Sequence, residues 1–310
     1  MSTSAHPREP SAHPRERGTH PGEPSAHPGE PGAPPVEPGD PPREMADGKL
    51  LLDLPATGVA RLTISNPAKR NALDHPILDA ITATLLELGS SRPEIRCLVV
   101  TGANGMFSAG YDIGEIPEAE FEERAERLIA HPFSEALDAL VAFPYPTLAA
   151  LPGHTIGGGL ELALACDLRV GAEGIKLGMP PAKLGLVYSH MGLRRFLDAI
   201  GASRTRELFL LGHYIDASTA LTWGLINRVV PGDGLEALTL DLARELAGNA
   251  PLSQVGNKRV IAALLAAEGE LPEDIEQDLI ELRRASFASR DMREGVRAFA
   301  EKRTPQWQGE

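Results

Sequence analysis

The segment 148–167, LAALPGHTIGGGLELALACD, constrains this chain more than any other. An apolar, strand-like run (Leu148, Ala149, Ala150, Leu151) meets a turn at Pro152 and Gly153. Three glycines, Gly157, Gly158 and Gly159, then open an apolar helix that carries one acid, Glu161. The first N–H groups of a helix have no intrahelical partner, and glycines let a ligand approach them closely. Such an entry is a ready site for an anion or a developing oxyanion. Glu161 falls one turn in, among Leu160, Leu162, Ala163 and Leu164, so the pattern predicts a partly desolvated carboxylate beside those donors. The bland alternative is a solvated first-turn acid stabilised by the helix dipole.

The rest of the chain is long enough to place that element in a large core. With 310 residues and 42% hydrophobic content it holds one large domain or two modest ones. A formal net charge of −13 argues against nonspecific binding of nucleic acid or anionic membranes, while leaving room for an anionic cofactor. Cys97 and Cys166 both sit among apolar neighbours and read as reduced core residues of a cytoplasmic protein. No CxxC or His/Cys zinc spacing occurs, and no apolar run approaches the roughly 20 residues of a membrane span.

Three regions are expected. Residues 1–45 carry a seven-residue repeat (SAHPREP, SAHPRER, GTHPGEP, SAHPGEP) whose prolines and missing apolar positions rule out a coiled coil and predict a disordered, polyproline-like tail. His6, His13, His20 and His27 recur in it and are read as part of a solvated linker. From residue 46 to 250, short strand-like runs (LLDL, VARLTIS, IRCLVVTG, TLAAL) alternate with helical patterns over about 76–88 and 118–142, which indicates α/β layering. Residues 251–310 read as helical, with apolar faces that pack on the core or on another subunit.

Two glycine-bearing loops after buried strands, FSAGYDI and HTIGGGLE, are placed to supply one backbone N–H each to the same oxygen. Together with NPAKRNAL, GGGLELALACD and EKRTPQW, they resemble the motifs of the crotonase (enoyl-CoA hydratase/isomerase) superfamily over nearly everything after the tail. The resemblance implies an α/β crotonase spiral of ββα repeats (ClpP/crotonase-like), two sheets, a C-terminal helical region, and a homotrimer or dimer of trimers. It also implies an acyl-CoA thioester substrate whose carbonyl oxygen is held by the amides of Tyr111 and Gly158. Asp112 then serves as a partner within its own loop. Lys69, Arg70, Ala72, Ala109 and Lys302 are carried over as CoA-binding positions, with Arg303 beside the last; a simple solvated turn is the alternative for Lys69 and Arg70.

One departure points to a branch. Hydratases of the superfamily use two glutamates, the first matching Glu161 and the second falling where this chain has Pro181. Proline neither accepts nor delivers a proton, so two-carboxylate hydration is in doubt. The segment MPPAKLGLVYSHMGL instead resembles the methylmalonyl-CoA decarboxylase branch, which pairs the first glutamate with a tyrosine at the position of Tyr188. That branch has histidine where this chain has Tyr111. The resemblance thus implies catalytic roles for Tyr111 (through its amide), Gly158, Glu161 and Tyr188, with no metal and no biotin. A single-glutamate hydratase or isomerase and a noncatalytic acyl-CoA-binding protein are the other readings. His190 is read as a pocket-rim residue and His154 as scaffold.

Overall fold

The computed structural model describes residues 37–92, 94–112, 132–268, 272–306 and 308. The chain first forms β1 (Arg43–Met45), β2 (Leu50–Ala56) and β3 (Val59–Ile64), an antiparallel meander. The tail boundary expected at residue 45 is corrected here. The Arg43 guanidinium forks onto Glu87 at 2.7 and 3.0 Å, and β1 pairs along β2, so residues 43–45 belong to the folded body. The rest of the expected tail, up to residue 36, lies outside the described residues.

After α1 (His75–Ser91), capped by the Asp74 carboxylate accepting from Ile77 N, the chain alternates between two sheets. β4 (Cys97–Gly102), β6 (Thr147–Leu151), β8 (Leu168–Ala172) and β11 (Arg228–Val230) add in parallel to β3, giving a seven-stranded sheet in the order β1-β2-β3-β4-β6-β8-β11. Following three of those strands come the short β5 (Met106–Ser108), β7 (His154–Ile156) and β9 (Lys176–Gly178), which with β10 (Tyr214–Asp216) form a second sheet in the order β10-β9-β7-β5. Each turn of the spiral therefore deposits a long buried strand, a short strand on the other sheet, and a helix. β4 and β6 are apolar and buried on both faces, as parallel strands covered by helices must be.

The helices are α2 (Ser134–Ala142), α3 (Gly158–Leu164), α4 (Pro181–Leu184), α5 (His190–Leu211), α6 (Ala217–Trp223), α7 (Leu235–Gly248), α8 (Pro251–Glu268), α9 (Glu273–Ala288) and α10 (Arg290–Glu301). α2 covers the last third of the helix expected over 118–142; the earlier part lies outside the described residues. Lys258 of α8 donates to Asp167 and to the Tyr145 carbonyl, tying the helical C-terminal region to the end of α3. Cys97 and Cys166 are free and buried in the core, and burial pushes both thiols up to about 12. Among the described residues no helix is long and apolar enough to cross a membrane.

Candidate active site

The two glycine loops meet. β5 ends at Ser108, whose hydroxyl accepts from Gly110 N, and Gly110 turns with φ +95°, a conformation that favours glycine. A Cβ on Gly110 would stand 3.0 Å from the Ile156 carbonyl and 3.1 Å from the Gly158 nitrogen, so the loop before Tyr111 lies directly against the start of α3. The NPAKRNAL segment clamps the same loop: Ala109 N donates to Arg70 O, Leu73 N to Gly110 O and Asp112 N to Leu73 O. Gly157 N donates to Gly178 O, fixing the turn into the helix. The amides of Tyr111 and Gly158 donate to no other group among the described residues. Two unspent donors on touching loops are the arrangement an oxygen ligand requires.

The Tyr111 ring closes over this point. Its tip would lie 3.0 Å from a Cβ on Gly158, and it packs edge-on against Phe133 with ring centroids 4.6 Å apart. Glu161, one turn into α3, is 2% exposed and is the one carboxylate among the buried described residues. The Tyr188 hydroxyl donates to its Oε2 at 2.5 Å. The Tyr111 phenol is near enough to feel the Glu161 charge, so three polar groups gather inside apolar surroundings. Burial raises the Glu161 carboxyl above its ordinary value, against the opposing pull of Tyr188 and Arg195. Burial likewise pushes both phenols well up, with the Glu161 charge adding to it.

Neither Arg195 nor Gly192 was legible in the motifs. Arg195 Nη1 lies 3.5 Å from Glu161 Oε1, and its Nη2 lies 3.4 Å from the largely exposed Asp138 carboxylate. Gly192 is an α5 residue where a Cβ would stand 2.5 Å from Tyr188 Cε1 and 2.9 Å from Glu161 Oε1, so only glycine lets α5 approach that pair. The spacing of Gly192 and Arg195 after Tyr188, three residues apart on one helix face, was the available signal.

The other sequence-derived positions divide. Lys69, Arg70, Ala72 and Ala109 are gathered around the clamped loop, but the Lys69 ammonium is engaged by Asp112 at 2.7 Å. Ala72 is buried, and its carbonyl accepts from Asn66. Lys302 ends α10 in left-handed backbone, exposed and not drawn into that cluster. Arg303 is held by Glu294 and Glu301. His190 Nε2 stands 3.3 Å from Glu276, linking α5 to α9, and His154 Nδ1 accepts from Lys176 N between β7 and β9. Pro181 is the buried first residue of α4, and no carboxylate takes its place opposite Glu161 among the described residues.

The spiral and the paired loops define an acyl-CoA enzyme of the crotonase type. The enoyl-CoA hydratase/isomerase family model matches residues 55–310, and the chain belongs to that family. It is 34% identical to a probable enoyl-CoA hydratase of Mycobacterium tuberculosis over 80% of this chain and 94% of that protein. It is also 34% identical to a carnitinyl-CoA dehydratase of Citrobacter koseri, over 80% and 97% respectively. Among solved structures, a methylmalonyl-CoA decarboxylase in complex with 2-nitronate-propionyl-CoA superposes with a TM-score of 0.77 at 29% identity, covering 84% of this chain and 99% of that one.

Proposed function

We propose that the protein decarboxylates a short 2-substituted malonyl-CoA, with methylmalonyl-CoA the leading candidate. The observation that carries this reading is the Tyr188 hydroxyl bonded to Glu161, the one buried carboxylate among the described residues, where a hydratase would need a second. Breaking the bond from the α-carbon to the carboxylate releases carbon dioxide and leaves its electron pair on the α-carbon. Delocalisation onto the thioester oxygen makes an enolate, and the unspent Tyr111 and Gly158 amides are the donors assigned to that charge. One proton from solvent then returns to the α-carbon and completes the acyl-CoA product. No base is needed for the cleavage, so a missing second glutamate is no obstacle, and the scheme calls on neither metal nor biotin.

Tyr188 and Glu161 orient the departing carboxylate. Glu161 accepts a hydrogen bond from the Tyr188 hydroxyl and so holds the phenol in place beside the departing carboxylate. Held out of the thioester plane, the breaking bond aligns with the carbonyl π system. A homotrimer or dimer of trimers fits the exposed apolar side chains of α8, Leu252, Val260, Ile261 and Leu264.

A single-glutamate hydratase or isomerase is the second reading, favoured by the names of the curated relatives. Incubation with methylmalonyl-CoA and, separately, with crotonyl-CoA divides the two. Carbon dioxide and propionyl-CoA are expected from the first substrate and an unchanged enoyl absorbance from the second. Loss of enoyl absorbance without carbon dioxide release reverses the assignment.

A further inference from the structure

The α9 helix carries a cation, Arg283, that no ion pair neutralises among the described residues. Glu276, Arg283 and Phe287 recur at intervals of seven and four residues and so share one face of that helix. Both ends of that stripe are located. Glu276 meets His190 at 3.3 Å, Tyr111 packs against the cluster of Phe287 and Met292, and the neighbouring Ser286 hydroxyl accepts from Val187 N at 3.0 Å. Arg283 falls between Glu276 and Phe287 on the same helix face. Its Nε is sealed from solvent with no hydrogen-bond partner, and its side chain forms no ion pair among the described residues. Its charge works against the burial that raises the Tyr111 phenol.

The charges around the two tyrosines do not balance. Glu161 is opposed by Arg195, whose other edge meets Asp138. Arg283 remains as a surplus cation with a buried donor left unmet, a costly arrangement that an anionic ligand would relieve. We propose that Arg283 receives the 2-carboxylate of the acyl group and selects anionic over neutral acyl-CoA. This rests on the reading of the substrate as a 2-substituted malonyl-CoA. Decarboxylation discharges that carboxylate, so the contact is spent in the ground state and belongs to KM rather than kcat.

The test compares two thioethers of CoA that share a skeleton and cannot react: 2-carboxypropyl-CoA and its neutral counterpart isobutyl-CoA. In R283M the anionic thioether should bind about 10- to 100-fold more weakly, the range of a hydrogen bond to a charged group, while isobutyl-CoA stays within about twofold. R283K, which keeps the charge without the Nε donor, should fall between. With methylmalonyl-CoA, R283M should raise KM without lowering kcat. Equal loss for both thioethers, or loss for neither, overturns the proposal; the neutral thioether also reports whether the variant folds. Carbon dioxide release by the unaltered protein is scored apart. Release without charge discrimination defeats Arg283 alone, whereas discrimination without release defeats the proposed reaction and leaves the anion site standing.

Discussion

Glu161 and Glu294 each meet an arginine, and the two pairs come out opposite. Glu294 in α10, near the surface, is forked by Arg303 at 2.5 and 2.9 Å and accepts from Gln306 N, and its carboxyl is pulled down to about 2. Glu161 meets Arg195 at 3.5 Å through one oxygen, deep in the protein, and its carboxyl is raised instead. The partner is of the same type in both places; what differs is water. Where solvent stays, a forked guanidinium favours the charged form; where it is removed, the desolvation of the carboxylate outweighs a single long contact.

The sharpest way to break this comparison is at its buried half. E161Q keeps the shape and removes the titration, and turnover should fall by at least about 100-fold, measured as carbon dioxide release. Its stability should behave in the contrary sense. A carboxyl whose folded pKa is raised favours the folded state at low pH, and that contribution is lost as pH climbs from the ordinary value through the folded one. Melting temperatures of E161Q should therefore gain on the unaltered protein as pH rises above about 4.5. A constant gap across that window would contradict the raised carboxyl.

Y188F removes the hydrogen bond but not the ring. Turnover should drop about 10- to 100-fold while CoA affinity stays within about twofold. Unchanged turnover would take Tyr188 out of the reaction. G192A sharpens the geometry: the new methyl has to displace Tyr188 or Glu161, costing about 1–3 kcal/mol of stability by thermal or denaturant melting, together with activity. The smallest effect belongs to the exposed half. R303A should lower the melting temperature slightly at neutral pH, and the difference should fade as pH falls from about 4.5 toward the Glu294 value of about 2, because a depressed carboxyl contributes only while ionised.

Much of this was legible in the chain. The apolar run into β6, the turn at Gly153 and the glycines before Glu161 describe local events, and local events are encoded by neighbouring residues. The same holds for the alternation of strands and helices. Arg195 was not legible because its partner Glu161 reaches it only when α5 packs against α3, and Arg283 was not because its buried, unpartnered Nε appears only once α9 is in place. Lys69 illustrates the converse: a cation beside a predicted CoA site is already engaged by Asp112 of the facing loop. Arg43 shows why the tail boundary came out late, because a charged residue in a polar segment joins the fold through one ladder and one forked ion pair.

In the proposed reaction two amides grip a thioester oxygen. Isotope-edited infrared spectroscopy of propionyl-CoA carrying carbon-13 at its carbonyl reads that grip directly. Bound to the protein, the carbonyl stretch should move to lower frequency than in free propionyl-CoA, because the Tyr111 and Gly158 N–H groups draw charge onto the oxygen. A bound carbonyl stretching at its solution frequency would contradict the account.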